Sequence, residues 1–442
     1  MAVGRYSPAN PATSFQADEA FSRQLDADDP LRGYRDRFLI PCCPDGRPVV
    51  YFAGNSLGLQ PKSVRPLLDQ ELQDWAALGV DAHFSGKTPW YSYHEVFRES
   101  GAKLVGAKPG EVVMMNSLTV NLHLMMVSFY RPTPTRYKIL IEDPCFPSDL
   151  YAVKTQLRYH GYDPAEALVI VKPRKGEQLL RTDDIDEILE KSGERIALVI
   201  LGGVNFVTGQ VLDMAHITAA AKGHGCVVGF DLAHAAGNIP LQLHDWDVDF
   251  AVWCNYKYLN SGPGAVGGCF VHERHGESDL PRFGGWWGND PTTRFQMHLQ
   301  HEFVPREGAD GWQISNPPIL AMAPVRSSLA IFDEAGMPAL RAKSERLTGY
   351  LEFLLDRFGS TRFEIITPRD SAQRGCQLSL LVRNRPKELL ERLDTADVVC
   401  DFREPNVLRI APAPLYNTFH EVWTFTAVVA RLLKTDYERP SL

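Results

Sequence analysis

The chain has 442 residues, 44% hydrophobic and 23% charged, the composition of a folded protein with room for a large core. Its 46 basic and 54 acidic side chains leave a net charge of −8 with no block of one sign, which argues against nucleic acid or a membrane surface as partner. The opening MAVGRYSPANPATSF lacks a secretory pattern, no apolar run is long enough to span a bilayer, and the eight cysteines form no C-x-x-C pair. A soluble, cytoplasmic protein is expected.

The first fifty or so residues are polar and proline-dotted, and predict an arm with a short helix. PKSVRPLLDQELQDWAALG then predicts a helix with Pro61 in its first turn, Leu68, Leu72 and Trp75 on one face, and Gly79 as its stop. From about Val112, short apolar runs alternate with amphipathic stretches. VVMMN precedes LTVNLHLMMVSF, YKILIED precedes FPSDLYAVKTQLRYHG, ALVILGG precedes HITAAAKGHG, and CVVGFD and FAVWC follow. That alternation predicts an α/β fold whose mostly parallel central sheet is covered by helices on both faces. Past about residue 326, the short strands FEIIT, QLSLLV, VVCDF and VLRIA mix with helical PKELLERLDTAD and FHEVWTFTAVVARLLK, as in a smaller α+β domain. The expected division is an arm over 1–60 packing with the small domain, a large domain over 61–325 and a small C-terminal domain over 326–442.

Two residues in the large domain stand at the ends of apolar runs. Asp231 ends CVVGFD with His234 three residues on, and open α/β sheets collect ligands beyond the carboxyl ends of their strands. An aspartate there also caps a helix in many proteins. Lys257 follows FAVWC in WCNYKYLNSGPGA. It reads either as a snorkelling surface lysine or as a Schiff-base lysine, since a partly desolvated amine is nucleophilic. The pair together fits pyridoxal phosphate, which needs a lysine for its aldehyde and a carboxylate at its ring nitrogen. Ser117, Leu118 and Thr119 open a helix whose N-terminus suits a phosphate, or are plain caps. Phe146 in DPCFPSD offers a ring face, with Asp149 a second acid, although a lone Phe is usually core. Gly262, Gly264, Gly267 and Gly268 serve either a tight connection or close backbone approach. Arg409, inside VLRIAP, calls for a carboxylate: a substrate's, or an internal one such as Glu404 or Asp401.

These residues resemble the fold-type I pyridoxal-phosphate enzymes and, within them, the kynureninase family. The stretches that carry the resemblance are FDLAHAAGN…DWDVDFAVWCNYKYLNSGPG, YFAGNSLGLQP (51–61), MNSLTVNLHLMM (115–126), FPSDLYAV (146–153), GQVLD (209–213), FGGWWG (283–288), ISNPPI (314–319) and RIAPAPLYN (409–417). It implies that Lys257 anchors the cofactor aldehyde, that Asp231 meets the ring nitrogen, and that Phe146 stacks on the ring beside Pro147, Ser148 and Asp149. Leu118 and Thr119 would lie at the phosphate end, with His234 and Tyr256 in the cofactor shell. Trp286 and Asn316 are similar to residues reaching the site from a neighbouring subunit, which implies a homodimer. Arg409 matches the arginine gripping the substrate α-carboxylate.

The activity so implied is hydrolytic Cβ–Cγ cleavage of kynurenine or 3-hydroxykynurenine to L-alanine and anthranilate or 3-hydroxyanthranilate. Tyr256 is a candidate proton donor or a phosphate ligand only. His83 in DAHFSG and Ser315–Asn316 resemble residues of members preferring the hydroxylated substrate, where other members carry Trp and Thr for the His and Asn. The preferred substrate is therefore expected to be 3-hydroxykynurenine, on a route of tryptophan catabolism to quinolinate and pyridine nucleotides. His83 and Ser56, also assigned to the substrate, serve equally to cap or brace loops. Two alternatives remain at this point. A cysteine desulfurase or selenocysteine lyase would need a nucleophilic thiol, for which Cys376 in RGCQLSLLV is the one candidate. A non-catalytic sensor on the same fold would need a DNA-binding or partner module, for which the first fifty residues are too short and insufficiently basic.

Overall fold

A computed structural model describes residues 15–299, 301–359 and 362–435. The first fourteen residues of the expected arm lie outside the described residues. β1 (Val50–Tyr51) belongs to the arm. β2 (Val112–Met115), β3 (Lys138–Glu142), β4 (Leu168–Val171), β5 (Ile196–Gly202), β6 (Val227–Asp231), β7 (Phe250–Cys254) and β8 (Gly267–Val271) follow. They form one sheet in the order β2-β8-β7-β6-β5-β3-β4. β3, β4, β5, β6 and β7 run parallel, and β8 is antiparallel to both its neighbours. β9 (Phe363–Ile365), β10 (Leu378–Val382), β12 (Asp401–Arg403) and β13 (Val407–Ile410) make a second, antiparallel sheet, while β11 (Val398–Val399) pairs with β1.

The large sheet is covered on both faces, and its side chains alternate accordingly. Val112 and Met114 enter one core cluster while Val113 and Met115 enter the other, as a period of two requires. A third cluster lies on the small sheet and takes in the arm helix Glu19–Ala27 through Leu25, with Leu347 and Leu351 of the helix Met337–Asp356 and Phe425 of the helix Phe419–Thr435. The helix Ile319–Ala335 packs against the large unit's helices, and the chain turns away at Gly336, whose φ of 74° suits glycine.

Two strands of the large sheet escaped the sequence pattern. β4 follows a four-residue helix directly and is only half covered. β8 begins in the glycine run, where a Cβ on Gly268 would collide with the Trp253 indole. Gly268 is there because the large indole of β7 lies across β8, and a Cβ on Gly267 would meet the Trp253 carbonyl.

The expected helix at Pro61 starts later, as Val64–Leu78, and presents a different face. Leu72 and Trp75 are exposed, at 45% and 60%, while Val64, Glu71 and Asp74 point inward. Hydrogen bonding decides this. Glu71 accepts from Trp90 Nε1 at 2.8 Å, and Asp74 accepts from the Lys87 N–H at 2.9 Å. Both acids have partners inside, so the polar stripe is the buried one.

Candidate active site

The parallel strands β5, β6 and β7 end together, and the groups marked by the sequence stand at those ends. Gly202 on β5 is the register partner of Asp231 on β6. Asp231 is buried and its Oδ1 accepts the Ala233 N–H at 2.7 Å, so it braces the following turn and lines the cleft at once. Lys257 follows β7 in a tight turn closed by the Asn260 N–H on the Lys257 carbonyl at 2.9 Å. The arm reaches this turn, because the Gly58 N–H donates to the Tyr256 carbonyl at 2.9 Å.

One cleft, about 520 Å³ counting its open mouth, is lined by Leu118, Thr119, Phe146, Asp149, Asp231, His234, Tyr256 and Lys257, with Glu142 and Phe206. Its lining, aromatic and apolar side chains with a few convergent polar groups, is that of a small-molecule site. Lys257 Nζ lies 3.1 Å from His234 Nε2 and 5.7 Å from the centre of the Phe146 ring. Burial, then the Lys257 charge, holds the His234 imidazole well below its usual range, so His234 is neutral and offers its ring nitrogen as a hydrogen-bond partner to the lysine. Burial and the Asp231 charge push the Asp149 carboxyl well above the carboxylate range. Burial raises the Tyr256 phenol, which stays protonated at neutral pH.

At the other end of the cleft two helix N-termini meet. Leu118 is the first residue of the helix Leu118–Phe129, and Pro147 is the first of the helix Pro147–Tyr159. The Ser117 side chain makes no capping bond. Thr119 Oγ1 instead meets Ser148 Oγ at 2.9 Å, linking the two first turns, whose N–H groups lack intrahelical acceptors.

Arg409 is fully buried and engages Asp401, with Nε 3.0 Å from Oδ1, so the internal partner foreseen for it exists. Its Nη1 donates to the Phe206 carbonyl at 2.7 Å and its Nη2 to Ser56 Oγ at 3.1 Å; Ser56 also bonds Asp401. Arg409 and Ser56 thus stand together behind Phe206, whose ring meets Phe146 edge-on at 5.5 Å. His83, Trp286, Ser315 and Asn316 do not line this cleft. Ser315 and Asn316 are exposed, Trp286 is half-buried against Trp287, and His83 lies edge-on to Trp90.

The residues fit pyridoxal phosphate. His234 Nδ1 and Asp149 Oδ1 are buried with no partner among the described residues, a carboxylate and an amine flank the cleft floor, and helix N-termini close its far end. Glu142 and Phe206 were missed by the sequence reading. Glu142 ends an apolar strand just as Asp231 does, and the same rule would have marked it. Phe206 lies in a loop with no pattern to mark it. Cys376, by contrast, is fully buried and its thiol is pushed up to about 12 by burial, so it is no exposed nucleophile.

This sheet, with a lysine and an aspartate beyond adjacent strand ends, defines a fold-type I pyridoxal-phosphate enzyme. The fold is shared with a cysteine desulfurase from Escherichia coli, at TM-score 0.75 and 19% identity over 92% of this chain and 98% of that one. A cysteine desulfurase from Thermococcus onnurineus NA1 gives 0.71 and 19%, over 93% and 98%. Residues 340–429 match the family model of the kynureninase C-terminal domain. The chain is 61% identical to a kynureninase of Myxococcus xanthus over 412 residues, 93% of this chain and 96% of the relative. It is 57% identical to one of Koribacter versatilis over 415 residues, 94% and 97%. The chain belongs to the kynureninase family, pyridoxal-phosphate hydrolases of carbon–carbon bonds in ketonic substances.

Proposed function

We propose that this protein hydrolyses L-3-hydroxykynurenine in preference to L-kynurenine, releasing L-alanine and 3-hydroxyanthranilate. It would work as a cytoplasmic homodimer in tryptophan catabolism leading to pyridine nucleotides. The observation that carries the chemistry is the Lys257 amine 3.1 Å from a neutral His234, in a cleft floored by Asp231.

Pyridoxal phosphate, when bound, supplies an aldehyde for the amino group and a ring that takes up electrons from the substrate α-carbon. The chain's residues do the rest. Asp231 holds the proton on the ring nitrogen, and Thr119 with the two helix N-termini receives the phosphate. Arg409 and Ser56 bind the α-carboxylate, which fixes the amino acid with its α-hydrogen toward Lys257. The Lys257 amine removes that proton, with the neutral His234 ring beside it to orient the amine. Water then adds to the γ-carbonyl, the Cβ–Cγ bond breaks, and the aryl group leaves as its acid. Tyr256, its phenol kept protonated by burial, gives the proton to Cβ.

The dimer is supported by what one copy leaves outside its cleft. His83, Trp286, Ser315 and Asn316 lie on half-buried or exposed segments, as expected of residues lent to a second copy. Large apolar side chains are exposed at Trp75, Val80, Phe84 and Phe295, the last two in ring contact. His83 and Asn316, facing a substrate ring from the partner, would favour a phenolic hydroxyl. The cytoplasmic assignment draws support from eight unpaired cysteines. We further divide the chain into an arm over 1–60, a large domain over 61–325 and a small domain over 326–442.

Turnover of the two substrates tests the preference, and a larger kcat/KM for kynurenine would reverse it. Lys257→Ala should lose the yellow chromophore and about 10³-fold or more of turnover. Mixing Lys257→Ala with Trp286→Ala chains tests the shared site. Hybrids carry one intact site and regain activity, whereas silent mixtures would refute the lent tryptophan.

A further inference from the structure

We propose that Glu142 is a positioning residue of the cleft: a carboxylic acid that keeps its proton so that Asp231 can stand ionised at the ring nitrogen. The inference rests on the reading of the cleft as a pyridoxal-phosphate site. Glu142 is the last residue of β3, is buried, and lines the same cleft as Asp149 and Asp231. Its Oε1 accepts the Gly202 N–H at 2.9 Å. Gly202 is the β5 residue paired with Asp231, so the glutamate is tied to the strand end that carries the aspartate. The approach is close enough that a Cβ on Gly202 would lie 2.9 Å from Oε1, which accounts for a glycine at this strand end.

The charge balance of the cleft points the same way. Three acids converge there from three elements: Glu142 from β3, Asp231 from β6 and Asp149 from the helix Pro147–Tyr159. Facing them are the side chain of Lys257 and the neutral His234. Around the end of β3, Asp143 is taken by Lys172 at 3.5 Å, and Cys145 is a thiol that burial holds up at about 12. No ion pair reaches Glu142 among the described residues, and one backbone N–H does not offset the cost of a buried charge. Burial and the neighbouring Asp231 charge bring the Glu142 carboxyl to about 7, within the range where an enzyme of this kind works. Below that, Glu142 is neutral and the negative charge of the floor is left to Asp231, beside an Asp149 carboxyl that burial and Asp231 hold well above the carboxylate range. Above it, Glu142 ionises and a second like charge stands on the same floor.

Glu142→Gln preserves size and the Gly202 bond but cannot ionise. The test compares it with wild type by infrared spectroscopy and by absorbance of the bound chromophore, each across the neutral pH range, with and without pyridoxal phosphate. The expected wild-type result is a protonated-carboxyl band that fades through neutrality and a chromophore step in the same range. Both should be lost in Glu142→Gln, with its melting temperature within a few degrees of wild type. Superimposable bands and absorbance curves for the two proteins would overturn the proposal and leave Glu142 a packing role. Should Glu142→Gln fold poorly, Glu142→Asp must show the band and the step displaced in pH, and an undisplaced pair would equally overturn it. A wild-type protein that binds no chromophore would refute the cofactor reading instead, and the infrared band of the unloaded protein would still judge Glu142.

Discussion

Gly58 of the arm is packed against the backbone of Lys257. Its N–H donates to the Tyr256 carbonyl at 2.9 Å, and a Cβ at this position would collide with the Lys257 carbonyl and with Asn260. The obstacles are mostly backbone, so they cannot rotate away. Gly58→Ala should therefore displace the lysine turn, costing about 1–3 kcal/mol of stability. It should also weaken cofactor binding about tenfold or more, measured by the fluorescence change on titrating pyridoxal phosphate into cofactor-free protein. Unaltered affinity would show that the arm does not set the lysine's place.

Arg409 binds Asp401, Ser56 and the Phe206 carbonyl from a fully buried position. Arg409→Ala leaves Asp401 with Arg403, at 3.4 Å, as its remaining cation, and stability should fall by about 1–3 kcal/mol. Arg409→Lys is the more informative variant. It keeps the charge but loses the flat fork, and KM for the amino acid should rise about 10–100-fold with a smaller change in kcat. Equal losses in kcat and KM would place Arg409 elsewhere in the reaction.

His94 is buried beside Arg306, whose Nη1 lies 3.2 Å from His94 Nε2. Burial and that guanidinium lower its pKa to about 3. The unfolded chain takes up this proton near 6.5, so between about 6.5 and 3 the unfolded state binds more protons. Stability is then fully present above about 6.5 and falls as the pH drops, by up to about 1.4 kcal/mol per pH unit. His94→Gln should flatten the acid limb of a melting-temperature profile. An unchanged slope would mean that the imidazole is already charged in the fold.

Lys343 and Asp29 form a buried pair, Nζ to Oδ2 at 2.8 Å, joining the helix Met337–Asp356 to the segment after the arm helix. Asp29 also accepts the Leu31 N–H at 2.9 Å. Lys343→Met strands the aspartate and should cost about 3–5 kcal/mol in urea unfolding. Lys343→Met with Asp29→Asn should recover part of that loss. Strictly additive losses would mean that the two charges do not act as a pair.

The strand ends were the most legible part of the molecule. Buried parallel strands read as unbroken apolar runs, and the acid or lysine that breaks such a run announces itself, as Asp231 and Lys257 do. The face of the helix Val64–Leu78 was illegible for the opposite reason. Its inward acids are satisfied by Trp90 and Lys87, partners 19 and 13 residues away, which periodicity cannot foresee. β8 was hidden because its glycines read as a turn until the Trp253 indole that Gly268 accommodates is in place. The pairing of Arg409 with Asp401 was legible as one of two choices. Its second bond, to the Phe206 carbonyl, crosses between sheets and left no trace in the local sequence.

The loop 206–208 joins the two sheets more firmly than a connector needs to. The carbonyl of Phe206 takes Arg409 Nη1 at 2.7 Å, and that of Val207 takes Ser379 Oγ at 2.6 Å. The carbonyl of Thr208 takes the Thr367 hydroxyl. All three donors sit on or beside the small sheet, while the Phe206 ring rests on Phe146 in the cleft. One short loop therefore works as a coupling. It ties the Phe146–Phe206 ring pair at the cleft to the sheet that carries Arg409, so a small tilt of the C-terminal sheet is passed through Phe206 to the wall of the cleft.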